Sequence, residues 1–394
     1  MTGSGPLVER MSSFGTTIFA EMSALALRTG SINLGQGFPD TDGPSEVLQA
    51  AVDAINAGQN QYPPGIGVPA LRQAIAAHQL RFYGQSVDPD TEVLVTAGAT
   101  EAIAASILAL VEPGDEVVMF EPYYDSYAAC VALAGGRRRV VTLHRDGQRW
   151  IFDPAELRAA ITSKTRLILL NTPHNPTGKV FSRSELSTIA AVACEYDLLV
   201  VADEVYEHLT FDGLPHVPIA TLPDMAERTV TISSAGKTFS VTGWKIGWVV
   251  STAELVTAVK TVKQFLTYVS GAPFQPAVAH GLALPDATYG EVARNLQQQR
   301  DLLCDGLTKL GLDVIRPQAT YFATVDIGAD ALQFCRELPE KHGVVAIPSR
   351  VFYDTDAGSR YVRFAFCKRP DVLVRAIERL SGPWESNETA GRIS

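Results

Sequence analysis

Between residues 92 and 250, short apolar, β-branched runs alternate with amphipathic segments, and this alternation restricts the fold more than any other feature of the chain. Strands buried on both faces read as continuous runs of Val, Ile and Leu, whereas a helix on the sheet surface shows apolar residues at a period of 3.6. Seven runs have the first character: Glu92–Thr96, Glu116–Phe120, Arg139–Leu143, Arg166–Asn171, Leu198–Asp203, Thr229–Ser233 and Ile246–Val250. Thr100–Val111, Ser126–Ala134 and Ser184–Tyr196 have the second, so crossover connections are expected between strands. The pattern predicts an α/β fold with about seven strands between two layers of helices.

At 394 residues the chain exceeds what one core organises, which predicts a second, smaller unit. Near residue 286 the texture changes to a long helical pattern from Thr288 to Leu310, a β-rich stretch and a final helix from Pro370 to Leu380. We expect residues 1–45, with their Gly- and Pro-rich GQGFPDTDGP, to form an N-terminal arm and part of the small domain. Residues 46–285 form the large domain and 286–394 the small α+β domain, with a polar tail after Gly382 expected to fray.

Charge and cysteine content exclude several classes of function. A net charge of −10 leaves no basic footprint for nucleic acid, and the isolated Arg137-Arg138-Arg139 reads as a solvated strand end. Cys130, Cys194, Cys304, Cys335 and Cys367 stand singly, without CxxC spacing or a companion His cluster, so no metal site is expected and a reduced, cytoplasmic setting fits best. The start MTGSGPLVERMSS has no export pattern, and apolar runs such as Leu167–Leu170 are too short to span a bilayer, so no membrane partner is expected.

In open α/β sheets ligands collect at the carboxyl ends of the strands. Four runs place polar residues there. Thr96-Ala97-Gly98-Ala99-Thr100-Glu101 is a strand, a small-residue turn and a helix start, whose N–H groups and Thr100 hydroxyl suit a phosphate; the plain alternative is an ordinary helix cap. Asn171-Thr172-Pro173-His174-Asn175-Pro176-Thr177-Gly178 can aim two Asn side chains into a cleft or be only a turn. Leu198-Leu199-Val200-Val201-Ala202-Asp203 ends in an acid that either caps a helix or keeps a pyridine nitrogen protonated.

The fourth run, Ser233-Ser234-Ala235-Gly236-Lys237 continuing to Thr242-Gly243-Trp244-Lys245, is the most specific. Two lysines in one Gly-bearing turn suggest an amine for chemistry and a cation for phosphate. A nucleotide P-loop is excluded because position 231, where that motif needs Gly, is Thr231. Gly65-Ile66-Gly67-Val68-Pro69-Ala70 mimics a dinucleotide motif but follows Pro63-Pro64 instead of a strand. Farther on, Arg363 in the strand pattern Arg360-Tyr361-Val362-Arg363-Phe364 either clamps a carboxylate or forms a surface ion pair.

Taken in order, GATEAI, NTPHNPTG, ADEVYEHL, SSAGKTFSVTGWKIGW and VRFAF resemble the class I/II aminotransferases of pyridoxal phosphate (PLP) fold type I over nearly the whole chain. The likeness is closest to the subgroup with kynurenine/glutamine, methionine and actinobacterial N-succinyldiaminopimelate aminotransferases. It implies that Lys237 is the Schiff-base lysine and the proton carrier. It also implies that Asp203 pairs with the ring nitrogen, that Asn175 and Tyr206 bond the ring hydroxyl, and that Tyr124 stacks on the ring. Ala99, Thr100, Ser234 and Lys245 would hold the phosphate, joined by Tyr62 from the neighbouring subunit of a homodimer. Arg363, Asn175 and Gly37 would take the substrate carboxylate.

The same resemblance implies ping-pong exchange between an amino acid and a 2-oxo acid. Its best specific expectation is N-succinyl-LL-2,6-diaminopimelate with 2-oxoglutarate, in lysine (diaminopimelate) biosynthesis. A broad kynurenine, glutamine or methionine aminotransferase and a C–S β-lyase stay open as alternatives. A PLP-binding transcription regulator is disfavoured, since no residues remain for a basic DNA-binding domain. Phe14, Ile18, Phe19, Tyr321, Phe322 and the loop from Pro348 to Tyr353 are expected to line the side-chain pocket.

Overall fold

A computed structural model describes residues 7–15 and 17–382. The alternating runs form β1 (Val93–Ala97), β2 (Glu116–Glu121), β3 (Arg137–Thr142), β4 (Thr165–Asn171), β5 (Leu199–Asp203), β6 (Thr229–Ser234) and β7 (Ile246–Val250). They make one seven-stranded sheet in the order β1-β7-β6-β5-β4-β2-β3. Neighbours from β6 to β3 are parallel, while β7 runs antiparallel to both β1 and β6.

The inner strands are buried on both faces because both are covered. Val117, Met119, Leu167, Leu169 and Val201 face one layer with Ile103, Ile107 and Val259 from the helices Gly98–Leu110 and Ala253–Lys263. Their sequence neighbours Val118, Phe120, Ile168, Leu170 and Val200 face the other layer, against Leu186, Ile189 and Val192 of helix Arg183–Glu195. Each such fully buried aliphatic side chain is worth about 1.5–3 kcal/mol relative to exposure. The last of these helices starts where it does because Ser182 and Glu185 form a reciprocal capping box.

Arg137, Arg138 and Arg139 are the first residues of β3, an edge strand, so the run does form a largely solvated strand end. Their period of two leaves Arg137 and Arg139 exposed and Arg138 half-buried, bonded to Asp354 at 3.1 and 3.0 Å. The N-terminal segment is more regular than an arm and loop: Ile18–Thr29 is a helix, capped by the Thr17 side chain and closed by Gly30 at φ 62°. After it, Ile32–Asn33 pairs in parallel with Val344–Val345.

That pairing brings Met22, Leu25 and Leu34 into one core with Leu303, Leu338, Phe364 and Leu373 from the C-terminal part of the chain. There β8 (Asp313–Ile315), β9 (Phe322–Asp326), β10 (Ile347–Pro348) and β11 (Tyr361–Ala365) form an antiparallel sheet in the order β8-β9-β11-β10. Helices Asp286–Lys309 and Pro370–Leu380 pack beside it. The tail after Gly382 lies outside the described residues. Among the described residues, no helix is long and apolar enough to cross a membrane.

Candidate active site

The parallel strands end together, with Asn171 of β4 in register with Asp203 of β5. On the other side of β5, β6 ends at Ser234 and leads into the turn that carries Lys237. Reversal of β7 has a positional effect: its first residues, not its last, lie at this edge, with Ile246 opposite Ala97. Lys245 therefore sits beside the start of helix Gly98–Leu110, its backbone in the left-handed region at φ 56°. A cavity of about 420 Å³ opens here, and of the residues expected to hold the cofactor or the substrate carboxylate all but Tyr62 line it.

One end of the cavity is built for an anion. The helix begins at Gly98 without a side-chain cap, so its first N–H groups stay available. Lys245 Nζ lies 3.4 Å from the Thr100 hydroxyl, and Ser234 is the residue before the short turn Ala235–Thr238. Close approach requires glycine: a Cβ on Gly247 would stand 2.5 Å from the Gly98 carbonyl carbon.

The floor is acidic. Asp203 is buried, and burial pushes its carboxyl above the usual range, opposed by hydrogen bonds from the Tyr127 hydroxyl at 2.6 Å and the Val205 N–H at 3.3 Å. Asn171 braces the neighbouring turn: its Nδ2 donates to the Asp203 carbonyl at 2.8 Å, and its Oδ1 accepts from the Asn175 N–H at 2.7 Å. Over this floor Lys237 projects an amine whose pKa burial lowers to about 8, so a neutral, nucleophilic fraction exists near neutral pH. Its Nζ donates to the Tyr321 hydroxyl at 2.6 Å and lies 5.6 Å from the Tyr206 ring centroid. Burial raises the Tyr206 phenol and pushes Tyr124 up to about 12.

The opposite wall is cationic. Arg363 is 2% exposed, and burial lowers it to about 10, which still leaves it charged at neutral pH. Its Nη1 donates to Asn175 Oδ1 and its Nη2 to the Gly35 carbonyl, each at 3.1 Å, while Nε has no hydrogen-bond partner among the described residues. Phe322, Phe352 and Phe19 surround the guanidinium at 3.9, 4.8 and 5.2 Å from their centroids. The surface-ion-pair reading of this arginine is thereby excluded: a buried cation held by neutral acceptors and aromatic faces retains capacity for a carboxylate. Gly37 lines the same wall, where a Cβ would collide with Phe322 at 2.2 Å.

Tyr62 lies elsewhere. It is 83% exposed, packs edge-on against Tyr268 at 5.8 Å and borders a shallow depression with Val269 to Ala272. Sequence reasoning missed Tyr127, although its position three residues after Tyr124 puts it on the same helical face, with ring centroids 5.7 Å apart. It also missed Asp125, Gln36, Phe38 and Thr242, which carry no local signature and reach the cavity only through folding. Phe19 and Phe322 line the cavity, whereas Phe14 and Ile18 pack against hydrophobic cores.

His78, Glu207 and His208 bring three potential metal-ligand atoms within 4.8 Å of one another outside the cavity. The His78 and His208 Nε2 atoms are 2.6 Å apart, a hydrogen-bond distance, whereas two nitrogens on a tetrahedral zinc stand roughly 3.3 Å apart. Glu207 accepts hydrogen bonds from Ser233 and Tyr83, so the group is a hydrogen-bonded network under β6.

A helix start beside Lys245, the buried carboxylate of Asp203, the amine of lowered pKa on Lys237 and the buried Arg363 around one cavity are a set of groups that fits PLP. The sequence family Aminotransferase class I and II matches residues 29–380. A probable N-succinyldiaminopimelate aminotransferase, DapC, of Mycobacterium tuberculosis is 53% identical over 387 residues, covering 95% of this chain and 98% of the relative. Methionine aminotransferase of Escherichia coli is 40% identical over 381 residues, covering 95% and 98%. The solved structure of the M. tuberculosis N-succinyldiaminopimelate aminotransferase superposes with a TM-score of 0.93 at 54% identity, covering 95% of this chain and 99% of that one. Site geometry and family likeness converge, and the chain belongs to the PLP-dependent class I and II aminotransferases.

Proposed function

We propose that this aminotransferase exchanges the amino group between N-succinyl-LL-2,6-diaminopimelate and 2-oxoglutarate, a step of lysine biosynthesis. The observation that carries the choice is the higher identity to the mycobacterial N-succinyldiaminopimelate enzyme than to the methionine or kynurenine relatives, over comparable lengths. We also propose that it works as a cytoplasmic homodimer with residues 46–285 as the cofactor domain. The exposed Tyr62, together with Phe265 at 83% and Tyr268 at 52% exposure, gives an apolar face suited to a second copy.

The residue roles proposed here follow from position. When bound, the cofactor supplies a protonated ring that takes up the electron pair left at the substrate α-carbon. Asp203 would pair with the ring nitrogen and, in its carboxylate form, favour a proton there. Lys237 forms the covalent link and, once released, moves a proton to and from the α-carbon. Tyr206 and Asn175 hold the ring hydroxyl, Tyr124 covers the ring face, and Ala99, Thr100, Ser234 and Lys245 fix the phosphate, with Tyr62 reaching the phosphate of the partner subunit. Arg363 orients the substrate carboxylate, assisted by Asn175 and the Gly37 backbone.

The deciding experiment compares kcat/KM for N-succinyldiaminopimelate, kynurenine, glutamine and methionine with 2-oxoglutarate as acceptor. A preference of tenfold or more for the succinylated substrate supports the proposal. Equal or better turnover of the others makes the enzyme a broad aminotransferase, and pyruvate release from cystathionine without an acceptor makes it a lyase.

A further inference from the structure

The contact between Lys237 and Tyr321 joins two parts of the molecule 84 residues apart in sequence. Lys237 follows β6 of the large sheet, and Tyr321 immediately precedes β9 of the smaller one. The tyrosine is 1% exposed and is pinned on several sides. Its carbonyl accepts from the Phe366 N–H at 2.9 Å, and the preceding Thr320, at φ 70°, donates its N–H to the Leu209 carbonyl at 2.9 Å. Its ring meets Tyr206 edge-on at 5.3 Å and Phe322 at 4.8 Å. The hydroxyl is thus delivered to one point by packing, and that point is 2.6 Å from Nζ.

The identity of this partner matters. A carboxylate there would lock the lysine as an ammonium, and an apolar group would leave a buried amine without a hydrogen bond. A phenol has one donor and two acceptor lone pairs, so it serves both charge states. It accepts an N–H from the ammonium and, by rotating its O–H, donates to the lone pair of the neutral amine. Burial holds the Tyr321 phenol far above its ordinary range, so it stays protonated through either exchange.

We propose that Tyr321 is the docking hydroxyl for the free amine of Lys237, holding Nζ in place whenever the amine is not bonded to the cofactor. Tyr321 is a positioning residue: it reaches the reaction only through Lys237, and the inference rests on Lys237 being the cofactor lysine. The proton balance is closed. Neutral Nζ accepts a proton from the substrate α-carbon, the resulting ammonium donates one N–H to the Tyr321 oxygen, and the same nitrogen then gives the proton to the cofactor carbon to which Lys237 had been joined. No bond to Tyr321 forms or breaks. Because the hydroxyl belongs to the smaller sheet, the resting place of the amine is set by how that sheet seats against β6.

The test is Tyr321→Phe, which keeps the ring and removes the hydroxyl. In cofactor-free protein, Lys237 is labelled with an amine-specific reagent from pH 6 to 11 and the labelled peptide is quantified by mass spectrometry; the rate of covalent attachment of added PLP is followed by absorbance. We expect the labelling midpoint to move to lower pH, because the charge-assisted bond lost by the ammonium is stronger than the neutral bond lost by the free amine, and attachment to slow at least fivefold. In the loaded enzyme kcat falls at least tenfold while KM for the amino acid changes less than threefold. An unmoved labelling profile overturns the proposal, including when kcat falls, since a packing defect alone does that. Failure of the underlying reading is separate: wild-type protein would then carry PLP on a lysine other than Lys237.

Discussion

The hydroxyl of Tyr127 donates a 2.6 Å hydrogen bond to Oδ2 of Asp203, inside the layer between helix Asp125–Leu133 and the carboxyl end of β5. Burial favours the neutral acid at Asp203, and this hydrogen bond favours the carboxylate. A hydrogen bond to a charged group is worth about 1.5–3 kcal/mol net. Tyr127→Phe is therefore expected to weaken PLP retention by about tenfold to a hundredfold, at 1.4 kcal/mol per decade. The sign on pH follows: with the stabilising donor gone the Asp203 pKa rises further, so the acidic limb of the kcat/KM profile moves to higher pH. Equilibrium dialysis and a pH–rate profile check both.

Lys237→Met is expected to abolish transamination while leaving a folded protein. Its stability has a pH signature. The amine falls from 10.5 to about 8 on folding, so between those values the unfolded chain binds more protons and wild-type stability rises with pH. Cofactor-free Lys237→Met should thus be more stable than wild type near pH 7, with the gap closing as pH rises from about 8 toward 10.5. Urea titrations at several pH values measure it, and a gap that widens with pH contradicts the assignment.

Arg363→Lys keeps the charge and loses the planar fork held by Asn175 and Gly35. A single ammonium cannot reproduce two parallel N–H donors to a carboxylate. We expect KM for amino acid and oxo acid to rise together by about tenfold to a hundredfold, the effect of one charged hydrogen bond. Steady-state kinetics on both half-reactions test this, because the proposed site binds both carboxylates in turn.

Gly247→Ala places a methyl group against backbone, 2.5 Å from the Gly98 carbonyl carbon and 2.7 Å from the Ala99 nitrogen, where no flexible side chain can yield. Overpacking of this kind costs about 1–3 kcal/mol. The helix start must shift away from Lys245, so phosphate-dependent PLP affinity should fall more than affinity for pyridoxal, which lacks the phosphate. Spectroscopic titration with the two ligands separates the effect from general destabilisation.

The inner strands were legible because they are buried on both faces, a demand that local sequence satisfies visibly in runs such as Leu167-Ile168-Leu169-Leu170, whereas the edge strand β3 shows it only from Val140 onward. The polar residues that follow those runs were legible for the same reason, and Lys237, Asp203, Asn175 and Lys245 do meet in one cavity. What stayed hidden depends on tertiary contact. Tyr127 reads as one more aromatic on a helix until β5 places Asp203 beneath it. Phe352 and Phe19 come from distant segments to flank Arg363, which no spacing rule announces. The helix Ile18–Thr29 was obscured by the Gly- and Pro-rich stretch after it, and its apolar face makes sense only against Leu338 and Val344.

Reversal of β7 makes the segment from Ala235 to Trp244 a molecular ruler. Its two ends are anchored on adjacent strands, with Ser234 opposite Gly247, so the span from Lys237 to Lys245 is set by a fixed length of chain instead of by side-chain adjustment. In the roles proposed for them, one lysine takes the reactive carbon of the cofactor and the other its phosphate, so the chain between them would gauge the distance separating those two groups. A vitamer with a longer arm between ring and phosphate would be rejected by the backbone itself, and a single residue inserted between Phe239 and Val241 would recalibrate the site while leaving Arg363 and Asn175 in place.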